Sequence, residues 1–182
     1  MFFWAFNKFM NEKNRLENEL KKFDGVAVSL LSEARIKCRD TPDYFDELIR
    51  LSFDPRETIS AGATWIIKAE LEEGGTLKLN QIEKIVALLN NEMPWQSMLH
   101  ICQSIEWIPL TQEQANRFFQ WSQSLTNHSR PFLRVWSLHV LVIIGSKYKT
   151  FQEEAIKALK NAHDDKAASV RARARKLQKL LN

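Results

Sequence analysis

Side chains along most of this chain alternate with the period of an α-helix, apolar or small residues recurring at i, i+4 and i+8 on one stripe. Four such stripes follow one another at a constant offset of 37 residues: Ile59/Ala63/Ile67, Gln96/His100/Ser104, Leu133/Ser137/Leu141 and Val170/Ala174/Gln178. Pro94 and Pro131 keep the same offset, as do Trp95 and Phe132 behind them. A fixed period of this length predicts helical pairs stacked on their neighbours, an architecture that presents surfaces and seldom carries chemistry in its repeats.

Capping residues divide the pattern into pairs. Thr41-Pro42 and Asp54-Pro55 predict two starts, the second helix running to about Glu72 before Gly74-Gly75, where glycine accepts a left-handed C-terminal conformation. Asn80 is the predicted cap of the next helix, Gln81 to Leu89, and Pro94 opens Trp95 to Trp107. Thr111 with Gln114 reads as a capping box. Pro131 then opens a helix predicted to stop before Gly145. Thr150 opens the last pair, whose second helix runs from about Lys166 to Leu180. Nothing in the chain reads as a strand.

Phe2, Phe6, Phe9, Leu16, Leu20 and Phe23 form a separate heptad-like stripe, followed by a helix over Val26 to Lys37. The expected organisation is therefore residues 1–40 as N-terminal capping helices and 41–182 as one continuous repeat domain. The expected fold is all-α, a right-handed α-α superhelix of about four pairs.

The segment Asp165-Lys166-Ala167-Ala168-Ser169-Val170-Arg171-Ala172-Arg173-Ala174 resembles a HEAT repeat, and Leu133-Arg134 with Ser137 and Leu141 is a second match. Ile59-Ser60 and Gln96-Ser97 depart from the motif, since both lack the arginine. The resemblance covers about residues 41 to 181 and extends to armadillo-type helical repeats and small bacterial HEAT-like proteins of uncharacterised activity. It implies architecture without specifying function. Arg171 is implied to bond the Asp165 turn, as the matching arginine does in such repeats. One HEAT-like branch removes alkylated bases from DNA with an acidic residue among aromatic and arginine neighbours on its inner helices. The spans Arg130 to Ile144 and Lys166 to Leu180 contain no Asp or Glu.

Charge changes the picture more than composition does. Residues 1–110 carry 13 Lys/Arg against 17 Asp/Glu, whereas residues 111–182 carry 13 against 5, so the basic character of the chain belongs to its last two pairs. Arg171, Arg175 and Lys179 form one positive stripe beside Val170 and Ala174. Together with Arg134 they are the candidate electrostatic anchors for a protein with an acidic patch, with Ile101 and Leu138 as apolar contacts. Nucleic acid is the alternative partner class, because phosphates answer to the same charge.

No cofactor is expected. The four histidines have no second ligand at zinc spacing, and no phosphate loop or nucleophile motif is present. Cys38 and Cys102 lack a paired spacing and read as reduced, buried thiols. Trp65, Trp107 and Trp136 flank apolar runs and read as core, while Trp95 reads as partly exposed. No apolar run reaches the roughly 20 residues a membrane span requires, and Met1–Phe6 lacks a basic leader, so a cytoplasmic scaffold without catalytic activity is the expectation.

Overall fold

The computed structural model describes residues 15–181, which are helical with no strand among them. The helices are α1 (Arg15–Leu20), α2 (Val28–Cys38), α3 (Tyr44–Ser52), α4 (Glu57–Glu72), α5 (Leu79–Leu88) and α6 (Trp95–Gln103). They continue as α7 (Gln112–Leu125), α8 (Pro131–Lys147), α9 (Gln152–His163) and α10 (Ala168–Leu177), with short 3-10 turns at Ser104–Trp107, Lys149–Phe151 and Gln178–Leu180.

From α3 onward the helices form four successive pairs. The second helices α4, α6, α8 and α10 lie side by side as one layer, and the first helices flank it. The stripes read from the sequence are the seam between the layers. Ile59, Ala63, Ile67, Leu133, Ser137, Leu141, Val170 and Ala174 are all buried. The second stripe is the weakest: Gln96 and His100 are only half-buried. There the His100 Nδ1 lies 3.1 Å from the Thr64 hydroxyl, a polar contact between the first two pairs.

α1 and α2 pack on each other and on α4. Leu16, Leu20 and Phe23 of the heptad-like stripe are buried; its members Phe2, Phe6 and Phe9 lie outside the described residues. Gly62 permits this contact, because a Cβ there would fall 2.9 Å from Leu20 and 3.0 Å from Leu31.

Several boundaries differ from expectation for local reasons. Thr41 bonds the Cys38 carbonyl at 2.7 Å and so finishes α2, while Asp43, at φ 56°, turns the chain into α3. The cap of α5 is Lys78, whose N–H donates to Gln81 Oε1 at 2.9 Å; Asn80 is inside the helix. Gly145 does not end α8. A Cβ there would lie 2.5 Å from Ala155, so the glycine lets the last turn of α8 touch the first turn of α9. The Thr111/Gln114 box forms as expected, and Gly74 adopts φ 92° after α4.

Candidate functional site

The six expected contact residues occupy positions related by the repeat. Ile101, Leu138 and Arg175 are spaced by 37, as are Arg134 and Arg171; on α6 and α8 these positions are buried, whereas on α10 Arg171 is half-buried and Arg175 exposed. That geometry corrects the apolar contacts: Ile101 and Leu138 are 1% and 2% exposed and belong to the core. Arg134 is corrected too. It is 5% exposed, pairs with both carboxylate oxygens of Asp165 at 2.9 Å, and donates to the His128 carbonyl at 2.8 Å, so its guanidinium fastens the third repeat to the fourth. This pairing holds the Asp165 carboxyl below its ordinary pKa.

Arg171 makes the matching bond within its own repeat, donating to the Asp165 carbonyl at 2.6 Å as the family resemblance implied. Arg175 and Lys179 are exposed. At the matching places of α8 stand the buried Leu138 and Val142, so the last repeat presents charge where the third presents core.

The solvent side of the second-helix layer carries different residues. Trp136 and Arg173 hold equivalent positions on α8 and α10, and the Arg173 guanidinium lies over the Trp136 ring at 4.1 Å, a cation–π contact. His139 sits one turn from Trp136, edge-on to it with ring centroids 5.2 Å apart. Its Nε2 is 2.8 Å from Glu106 Oε1.

Burial, then the charge of Arg173, pushes the His139 pKa down to about 4 against the opposing pull of Glu106. The imidazole is therefore neutral at pH 7, donating Nε2–H to Glu106. Two buried nitrogens of this cluster, His139 Nδ1 and Arg173 Nε, have no hydrogen-bond partner among the described residues. Glu106 belongs to the 3-10 turn after α6, so the carboxylate missing from α8 and α10 reaches their face from the preceding repeat.

Tryptophan placement is a further correction. None of the five described tryptophans is fully buried; Trp107 is 39% exposed, and Trp65, Trp121 and Trp136 rest against the core from outside. Trp95 is half-buried under the Arg130 guanidinium at 4.4 Å. Both cysteine thiols are buried, which raises their pKa values and makes them poor nucleophiles.

A solved structure described as a designed armadillo repeat protein in complex with peptide (KR)4 matches this arrangement at a TM-score of 0.59, over 92% of this chain and 82% of the other, with 16% identity. The fold is an armadillo-like helical solenoid. No family model and no curated protein matches the sequence. Within this armadillo-like scaffold, no helix of the described residues is long and apolar enough to cross a membrane.

The two halves of the solenoid treat charge differently. Before Thr111, nine basic residues pair with carboxylates: Lys21, Lys22, Arg35, Lys37, Arg39, Arg50, Arg56, Lys68 and Lys84. After it, Arg134 is the one Lys or Arg with a carboxylate partner among the described residues. The other cations of the last two repeats therefore have no carboxylate in ion-pair contact among the described residues, although the charge of Glu106 reaches Arg173 beside Trp136. Sequence reasoning missed this face, although the 37-residue step from Trp136 to Arg173 was readable.

Proposed function

We propose that this armadillo-like chain is a non-catalytic scaffold that binds an acidic segment of another protein along the second-helix face of its last two repeats. The observation that carries the reading is the contrast in charge pairing: cations already matched by carboxylates have little left to offer, whereas Arg173 and the exposed Lys176 form no ion pair among the described residues. Trp136 supplies a rigid aromatic floor beside them, the pairing of aromatic and arginine side chains typical of binding hot spots. Arg175 and Lys179 extend the same field around the end of the stack as secondary anchors. The designed neighbour binds a basic peptide, so what this reading takes from it is the scaffold and not its charge preference.

A labelled acidic peptide followed by fluorescence anisotropy tests the proposal. Arg173→Glu with Lys176→Glu should weaken binding about tenfold or more, since like charges then face the ligand; Lys84→Glu in the other half should change little. Equal binding by the Arg173/Lys176 variant would remove this face from the account.

Nucleic acid is the second reading, favoured by Glu106 standing beside Trp136 and Arg173, which places a carboxylate among aromatic and arginine neighbours. Under that reading, DNA affinity falls steeply with salt and alkylated DNA loses its modified base in a Glu106-dependent manner. Absence of DNA binding at low salt would end it.

A further inference from the structure

Two cavities occupy matching places in the repeat. One, of about 370 Å³, opens between the third and fourth repeats and is lined by Thr126, Asn127, Arg134, Ala162 and Asp165 among others. The second, of about 460 Å³, opens between the first and second repeats and is lined at the corresponding places, 74 residues earlier, by Ser52, Phe53, Ser60, Leu88 and Asn91.

The later cavity is walled by the Arg134 guanidinium, bonded to Asp165 and to the His128 and Ser129 carbonyls. The earlier one has Ser60 in that place, and its hydroxyl turns back to the Glu57 carbonyl at 3.3 Å. No side chain of the described residues takes up the acceptors that Arg134 satisfies two repeats later. The Asp54 and Pro55 carbonyls receive no donor there, and Asn91 uses its NH2 on the Ala87 carbonyl at 3.1 Å, which leaves Oδ1 to accept. Glu57 and Glu92 add negative charge to the cavity wall, and neither is ion-paired with a described residue.

We infer that the cavity between the first two repeats binds the guanidinium of an arginine side chain carried by a partner segment, at the place the chain's own Arg134 fills between the last two. A planar fork matches several separated oxygen acceptors, whereas an ammonium concentrates its donors at one point. Glu57 and Glu92 disfavour anions in the same cavity, while Asp54 is already paired with Arg56. The inference is independent of the acidic-segment reading, because it concerns different repeats and the opposite charge.

The test is an amide NMR titration of the full chain with acetyl-Gly-Arg-Gly-amide, alongside the citrulline and lysine analogues. The arginyl peptide should perturb the amides of Ser52–Ser60 and Asn91–Met93 and bind roughly tenfold more tightly than the citrulline peptide, the effect of a charged donor over a neutral one. Ser60→Arg combined with Asn91→Asp should fill the cavity from within and abolish the response. If that variant fails to fold, Glu57→Gln with Glu92→Gln, both at exposed positions, should still weaken binding several-fold. Perturbation elsewhere only, equal binding of the citrulline or lysine peptide, or unchanged binding by the Glu57/Glu92 variant would overturn the inference.

Discussion

In the first repeats Arg35, Arg39 and the Tyr44 hydroxyl converge on the buried Glu70, and Glu17 is shared between Arg50 and Arg56. In the last two, a single arginine has a carboxylate among the described residues; Arg173 lies over Trp136, and Arg175, Lys176 and Lys179 are exposed toward the end of the stack. The same backbone plan thus carries charge as internal fastening at one end and as an external field at the other. Repetition conserves the packing seam because each repeat must bury its neighbour's apolar side, while residues off the seam are free to diverge.

The largest effect should come from Arg134, the one Lys or Arg of the basic half that pairs with a carboxylate among the described residues. Arg134→Ala leaves Asp165 without its partner in a mostly buried setting and should cost about 3 kcal/mol, whereas Arg171→Ala, which loses only turn-carbonyl bonds, should cost about 1 kcal/mol. Urea unfolding of the two variants checks the difference; equal losses would mean that the inter-repeat pair does not fasten the stack.

Acidification should separate the halves by a smaller margin. The carboxyls of Glu17, Glu19, Asp46, Asp54 and Glu73 are held below their ordinary pKa by Arg and Lys partners. Such groups contribute stability above the unfolded carboxylate pKa, and it is lost as pH falls through the lower folded values. In the last two repeats only Asp165 behaves this way.

The histidines act earlier. Burial and the charge of Lys68 push His100 down to about 3, and burial with Arg173 pushes His139 down to about 4. The unfolded chain then takes up protons first, so stability falls as pH drops from about 6.5 toward those values. Hydrogen exchange should show α6 and α8 loosening first, between pH 6.5 and 4, and α1 to α4 following below pH 4. Simultaneous loosening of all helices would contradict the assignment.

Much of the fold was legible because proline, glycine and capping side chains act locally. The Thr111 box and Pro131 start helices where expected, and the 37-residue seam is buried except at Gln96 and His100, which are half-buried, and Gln178, which is exposed. Gly145 misled because the sequence cannot tell a glycine that ends a helix from one that admits a neighbouring helix. The candidate site was less legible. Arg134 and Leu138 read as partner contacts in the sequence, yet residues flanking a packing seam point either to solvent or to the next repeat, and only the superhelical arrangement decides between them. Arg134 was consequently assigned to a partner when its partner is Asp165. Trp136 and Arg173 are neighbours solely because their helices are, so their stacking needed the arrangement as well.

The most direct measurement is an amide and indole NMR titration of the full chain with an acidic peptide, compared with a lysine-rich peptide of the same length. The account predicts perturbation of the Trp136 indole, the Arg173 region and Lys176 by the acidic peptide, weakening as salt rises, and no response there to the basic one. Perturbation centred on α2 to α4, or none at Trp136 and Arg173 under low salt, would contradict it.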